Sequence, residues 1–278
     1  MTKMVPGTCI QQIEKIATEA LALLGSGRQV TPFSLRYPNF DLEEAYEVTI
    51  RVCAWRRLRG ENPIGRKIGF TNRAAWPGHD ISGPIWNYMY DSTVHDLAAV
   101  GGDFALAGLA EPRIEPEIAL HLARAPDVGM NEEELLSCID WIGHGFEIVH
   151  SIFPGWRFTA ADAVAACAAH GAYLLGERHE ISGDRSSWGE ALSNFSVKLT
   201  GDNGVDRLGH AQNVLGGPLK ALRFLVEELA RHPACEALRA GELVTTGTLT
   251  EAMPIVVGQT WCTVLSGIEV QGLRVRFR

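Results

Sequence analysis

Pro112-Arg113-Ile114-Glu115-Pro116-Glu117-Ile118-Ala119-Leu120 is the stretch whose reading decides how this chain folds. Ile114, Pro116, Ile118 and Leu120 alternate with Glu115, Glu117 and Ala119, and residues two apart in a strand share a face. Glu115 and Glu117 therefore point the same way, about 7 Å apart at their Cα atoms. The isoleucines and the leucine turn toward a core. Two carboxylates so placed repel each other unless a positive charge sits between them. Carboxylate oxygens suit a hard divalent cation, Mg²⁺ or Mn²⁺. The competing reading is a solvated strand face carrying two ordinary acids, because charged side chains are exposed by default.

Two further runs bear on that choice. Downstream, Gly143-His144-Gly145-Phe146-Glu147-Ile148-Val149-His150-Ser151 is a second β-like run with a carboxylate among apolar neighbours. Glu147 falls off the Phe146/Ile148 face and completes a three-carboxylate cation site with positions left for water and substrate. His144 and His150 are alternative ligands, but neither stands at a recognisable spacing to another histidine, and packing or supporting roles suit them better. Upstream, Ile64-Gly65-Arg66-Lys67-Ile68-Gly69-Phe70-Thr71 reads as a short strand whose adjacent cations must face opposite sides. Lys67, among Ile68, Phe70 and glycines, is either a desolvated functional lysine or one that snorkels to the surface.

Around these runs the chain reads as alternating helices and strands. A helix is expected over Ile10 to Leu24, and a second from the N-cap Asp41 to about Leu58, closed by Gly60. These would form a small helical N-terminal part, residues 1–62, ahead of a catalytic domain over 63–278. Trp76 to Asp91, rich in glycine, proline and aromatics, reads as an ordered loop, either a lid or packing against the body or a partner subunit. Asn131 caps a short helix, an alanine-rich helix runs from Asp162 to about Ala169, and Pro218 opens a helix to about Arg231. Strands are expected at Tyr173 to Gly176, Asn194 to Thr200, Glu242 to Thr250, Thr260 to Leu265 and Ile268 to Phe277. The hydroxyls of Thr245, Thr246, Thr248 and Thr250 suit either a carboxylate-binding turn or an ordinary Thr-rich strand.

Composition removes several classes of function. The apolar fraction of 46% supports a packed core. Net charge is −8 and no basic run occurs, so neither a nucleic-acid footprint nor a basic amphipathic membrane helix is present. The six cysteines form no CxxC pair, which suits free thiols in a reducing cytosol. Met1 to Ile10 has no signal-peptide core, and the apolar run Ala160 to Gly176 is too short and too interrupted to span a bilayer. A soluble cytoplasmic protein is expected.

The order Gly65-Arg66-Lys67-Ile68-Gly69-Phe70-Thr71, Pro112-Arg113-Ile114-Glu115-Pro116-Glu117-Ile118-Ala119, Phe146-Glu147-Ile148-Val149, Gly241-Glu242-Leu243-Val244-Thr245-Thr246-Gly247 resembles the fumarylacetoacetate hydrolase superfamily. Within it the chain is most similar to the 2-keto-4-pentenoate hydratase / 4-oxalocrotonate decarboxylase branch. The resemblance covers nearly the whole chain. It implies an α+β fold, a mixed β-sandwich or β-roll with flanking helices, and homo-oligomers. It implies Mg²⁺ or Mn²⁺ held by Glu115, Glu117 and Glu147, with Lys67 as the catalytic lysine. Arg66, beside Lys67, and Thr248, in the threonine-rich turn, are the candidates for substrate binding. The substrate class it implies is a small 2-hydroxy-dienoate or 2-oxo carboxylic acid from aromatic-ring breakdown. Hydration of such an acid is the expected reaction. Decarboxylation of a 4-oxalocrotonate-like diacid, carbon–carbon hydrolysis, and a non-catalytic binding or scaffold role are the alternatives.

Several positions depart from the resembled pattern. Pro84-Ile85-Trp86-Asn87 lacks the acid of a Pro-Asp-aromatic-Gly motif, with Asp80 or Asp91 as conceivable substitutes. Ala166-Cys167-Ala168-Ala169-His170 replaces an Asp-Asn-x-Ser-Ser run, Gly216-Gly217-Pro218 replaces a Gly-His-Pro or Asn-His-Pro, and His150 replaces the aspartate of Glu-Ile-Val-Asp. The metal triad stands while the pocket wall changes.

Overall fold

The Glu115 stretch is a ten-residue strand near the middle of a mixed sheet. The computed structural model describes residues 6–73, 76, 83–181, 185–232 and 234–278. In chain order the elements are α1 (Pro6–Leu23), α2 (Phe33–Arg36), α3 (Leu42–Leu58), β1 (Pro63–Gly69), β2 (Ile85–Tyr90), β3 (Val94–Asp96), β4 (Asp103–Phe104) and β5 (Arg113–Leu122). There follow α4 (Glu132–Leu136), β6 (Ile139–Val149), α5 (Ala160–Ala165), β7 (His170–Glu180), α6 (Arg185–Asn194), β8 (Ser196–Gly201) and β9 (Asp206–His210). The chain closes with α7 (Pro218–Arg231), β10 (Leu243–Thr245), β11 (Met253–Pro254), β12 (Thr260–Ser266) and β13 (Arg274–Phe277).

Among the described residues, eight strands form one sheet in the order β2-β1-β10-β5-β6-β7-β3, with β11 also on β5. Five form a second sheet, β4-β13-β12-β8-β9. The sheets share a buried cluster in which Ile114, Phe146, Ile148 and Leu174 meet Leu199, Trp261, Val275 and Phe277. Farther along β5, Ile118 and Leu120 join a second cluster with Ile16 and Ala17 of α1, Val48 and Val52 of α3, and Val164 of α5. This is an α+β sandwich with flanking helices, as the alternation and the motif order predict. No helix among the described residues is long and apolar enough to cross a membrane.

Local rules account for the helix ends. Asp41 caps α3 by accepting from the Glu44 N–H at 2.9 Å. Asn131 and Glu134 form a reciprocal capping box on α4. Pro218 begins α7, and its buried stripe of Leu219, Leu222, Leu225, Val226 and Leu229 follows helical spacing.

Three expectations are corrected. Ile85–Tyr90 is a fully buried strand paired with β1 rather than loop, so Trp86, Tyr88 and Tyr90 are core side chains; residues 77–82 of that stretch lie outside the described residues. The alanine-rich helix starts at Ala160, with Asp162 in its first turn, and ends at Ala165. Beyond it Cys167, Ala168 and Ala169 take φ values of 54°, 50° and 61°, a left-handed turn where continued helix was expected. The run Glu242 to Thr250 keeps strand geometry only over Leu243–Thr245.

Candidate metal centre

Strand register brings the acids together. In the antiparallel β5–β6 pair Glu115 lies directly opposite Glu147, and Glu117 opposite Gly145. Side chains directly opposite across a ladder are about 5 Å apart at Cβ. One carboxylate oxygen from each of Glu115, Glu117 and Glu147 lies within 4.8 Å of the others. Glu117 and Glu147 are buried, and Glu115 is half-buried at the cavity edge. The sheet also delivers Lys67, since β10 pairs with both β1 and β5. The Lys67 Nζ stands 3.1 Å from Glu147 Oε2 and donates to the Ala168 carbonyl at 3.0 Å.

Backbone geometry fixes Glu117. The Gly247 N–H donates to its Oε2 at 3.0 Å. Gly247 has φ +100°, and a Cβ there would lie 1.9 Å from Thr71 Oγ1, so only glycine fits. This bend also ends β10 before Thr246. On the other side His144 holds the strand: its Nδ1 lies 2.9 Å from the Glu117 carbonyl and its Nε2 lies 2.8 Å from Thr263 Oγ1. Burial pushes the His144 imidazole down to about 4, so it is a neutral structural link, the supporting role expected for it. His150 is also buried and neutral by the same cause, its pKa down to about 4.

The charges of this cluster do not balance by themselves. Three carboxylates face one ammonium in a space largely closed to water. Burial pushes Glu115 up to about 7, with Lys67 opposing and the Glu147 charge adding to the rise. Burial, then the charges of Glu147 and Glu115, push Glu117 well above the ordinary carboxylate range. Burial also acts against Glu147, but Lys67 and His170 outweigh it and hold that carboxyl below its ordinary value. Lys67 loses hydration as well, and the three carboxylates more than restore its charge, so its pKa is raised. Two excess negative charges are thus met either by protons on Glu115 and Glu117 or by one divalent cation. All three donors are hard oxygens, which suits Mg²⁺ or Mn²⁺. Glu147 Oε2 receives no aligned hydrogen bond, so it keeps a lone pair for such an ion. The residues present fit the group.

The cluster opens onto a cavity whose polar lining is Lys67, Glu115, Glu117 and Thr248, with Phe70, Ile85, Val149, Trp156 and Phe158 as apolar wall. Thr248 is at the site, its hydroxyl donating to the Thr250 carbonyl at 2.9 Å. Arg66 is a correction. Its side chain leaves the opposite face of β1, fully buried, 3.3 Å from Glu242 Oε1 and 3.9 Å over the Tyr88 ring. Adjacent strand residues face opposite sides, so with Lys67 turned to the acids Arg66 cannot reach the substrate. Ile85 presents an apolar side chain to the cavity at the position of the missing acid. Asn87 is spent elsewhere, donating to Thr49 Oγ1 at 3.1 Å and the Val164 carbonyl at 2.9 Å. Asp91 is an exposed turn residue bound to Asn62, and Asp80 lies outside the described residues.

Sequence reasoning missed His170. Its Nδ1 lies 2.8 Å from Glu147 Oε1 and its Nε2 lies 3.0 Å from Thr93 Oγ1. The one signal for it was the altered run ending at His170, whose meaning depends on the left-handed turn before it.

Known proteins resemble the chain in sequence and in fold. No protein-family model matches the chain. It is 29% identical over 260 residues to 2-hydroxyhexa-2,4-dienoate hydratase of Comamonas testosteroni, covering 93% of this chain and 95% of that protein. It is 29% identical over 217 residues to 4-oxalocrotonate decarboxylase of a Pseudomonas species, covering 78% and 80%. Among solved structures, 4-oxalocrotonate decarboxylase from Pseudomonas putida G7, complexed with magnesium and adipate, superposes over 100% of both chains with a TM-score of 0.84 at 23% identity. A fumarylacetoacetate isomerase/hydrolase-type structure from Oleispira antarctica shares the fold more distantly, with a TM-score of 0.53 at 18% identity, over 77% of this chain and 94% of that one.

Proposed function

We propose that this chain, a homologue of the hydratases and decarboxylases of the fumarylacetoacetate hydrolase superfamily, is a divalent-metal-dependent lyase that adds water to a 2-hydroxy-dienoate or its 2-oxo tautomer. The observation that carries this reading is the convergence of Glu115, Glu117, Glu147 and Lys67 on one apolar-walled cavity. Glu115, Glu117 and Glu147 would hold Mg²⁺ or Mn²⁺, which supplies Lewis acidity to the vicinal oxygens of a 2-oxo acid and stabilises negative charge developing on them. The hydratase relatives span most of the chain.

Lys67 enters protonated. Its Nζ, anchored by the Ala168 carbonyl, orients the substrate carboxylate or delivers a proton during dienol–ketone exchange. Phe70, Ile85, Trp156 and Phe158 take the hydrocarbon tail. This apolar wall favours hydration of a monoacid with a hydrocarbon tail. Decarboxylation of a 2-oxo diacid is the second reading, favoured by Ile85, which leaves the described lining without a further acid to assist water addition. The reading extends to a homo-oligomer, as the family resemblance implies, and to a reducing cytoplasm, which the described cysteines, all free thiols, support.

Purified protein given Mn²⁺ and 2-hydroxypenta-2,4-dienoate should consume the dienoate and form a 4-hydroxy-2-oxo acid, and a chelator should stop it. Preferential release of carbon dioxide from an unsaturated 2-oxo diacid would establish the second reading. Inertness toward both substrates would leave a binding protein.

A further inference from the structure

The turn between α5 and β7 grips both members of the Lys67–Glu147 pair. Cys167, Ala168 and Ala169 are three successive non-glycine residues in the left-handed region, a conformation disfavoured by about 1–2 kcal/mol per residue. Surrounding bonds hold it there. The His150 N–H donates to the Ala169 carbonyl at 2.9 Å, and Lys67 Nζ donates to the Ala168 carbonyl at 3.0 Å. The chain then enters β7 with the His170 side chain buried against Glu147.

The proton that faces Glu147 can be assigned from its neighbour. A carboxylate only accepts, so the proton between His170 Nδ1 and Glu147 Oε1 sits on Nδ1. At Nε2 the partner is the Thr93 hydroxyl. That hydroxyl is itself held in place: it donates to the Tyr90 carbonyl at 3.1 Å and accepts the Tyr90 N–H at 3.2 Å, so it is a fixed anchor for the far edge of the ring. Glu147 thus fixes a proton on Nδ1, and Thr93 holds the ring from its Nε2 side. Glu147 is left with two unlike oxygens. Oε1 is tied to His170, and Oε2 is free of aligned hydrogen bonds beside Lys67 and the other acids.

We propose that His170, oriented by Thr93, is a positioning residue for the cation site: its Nδ1–H binds Oε1 of Glu147 and thereby presents Oε2 to the ion. The proposal rests on the metal-dependent reading above. A hydrogen bond behind a metal ligand sets ligand orientation, and losing one typically weakens metal affinity 10- to 100-fold.

The test is Mn²⁺ binding to chelator-stripped protein without substrate, followed by the electron paramagnetic resonance of free Mn²⁺. His170→Leu should weaken Mn²⁺ binding about 10- to 100-fold. His170→Asn, whose amide nitrogen stands near the place of Nδ1, should recover most of that loss. Nitrogen-15 spectra of the wild-type histidine rings should show His170 protonated at Nδ1, a readout that stands even if His170→Leu does not fold. His170→Leu and wild-type proteins binding Mn²⁺ equally well, or a His170 bare at Nδ1, would overturn the proposal alone. A wild-type protein that binds no Mn²⁺ would overturn the metal reading and this proposal with it.

Discussion

Glu115 and Glu147 are direct cross-strand partners, two carboxylates facing each other in the β5–β6 ladder. Like charges so placed destabilise a sheet, and they differ in what else they touch. Lys67 and His170 both contact Glu147, whereas burial leaves Glu115 with a raised pKa. Glu115→Gln should therefore leave the metal-free fold as stable as wild type or slightly more so, while abolishing metal binding. Glu147→Gln should lose metal binding and also roughly 3–5 kcal/mol of stability, the usual result of stranding one charge of a buried pair. Urea unfolding of chelator-treated variants separates the two.

The pH dependence follows from the same asymmetry. Glu115 titrates near 7 in the folded metal-free protein, against an ordinary value of 4.5. The folded state then holds a proton that the unfolded chain releases, so this group's contribution to stability is full below about 4.5 and falls as pH rises toward 7. A cation binds the deprotonated form, so its stabilisation grows over that window. Melting with Mn²⁺ at about 100 times its Kd should add about 2.7 kcal/mol, or roughly 5–10 °C, at about pH 8 and markedly less at about pH 5.5. Calorimetry in buffers of different ionisation enthalpy should register proton release on binding.

Lys67→Met separates chemistry from metal binding. Removing a cation from beside three carboxylates does not weaken their hold on Mn²⁺, so affinity should be retained or improved. Turnover should fall about 10²- to 10⁴-fold, the usual range for a lost proton-transfer group. Steady-state kinetics at saturating Mn²⁺ checks this, and a variant with near-wild-type kcat would remove Lys67 from the reaction.

The apolar wall predicts discrimination by tail. Phe158 and Trp156 line the cavity with ring centroids 6.0 Å apart. Phe158→Ala should lower kcat/KM for a substrate with an alkyl tail by about 10- to 200-fold, the range for a lost hydrophobic contact of about 1–3 kcal/mol, mostly through KM. The penalty should shrink as the tail is shortened.

How far the sequence could be read depended on whether periodicity survived burial. In β5 one face carries acids and the other isoleucines, so alternation exposed Glu115 and Glu117. In β2 all six residues are buried; both faces are covered, alternation vanishes, and a strand resembles an aromatic loop. The turn at Cys167–Ala169 was unreadable for a different reason. Alanines favour helix, and no glycine marks the left-handed backbone that tertiary bonds impose. His170 was hidden with it. Arg66 could have been excluded, because the alternation that assigns Lys67 to the acids assigns Arg66 to the other side.

Anomalous diffraction from a crystal soaked in Mn²⁺ tests the three-carboxylate centre most directly. One peak is expected among Glu115, Glu117 and Glu147, at about 2.0–2.3 Å from an oxygen of each, with Glu147 bound through Oε2. A crystal with no peak there, or with the ion held by other residues, would contradict it.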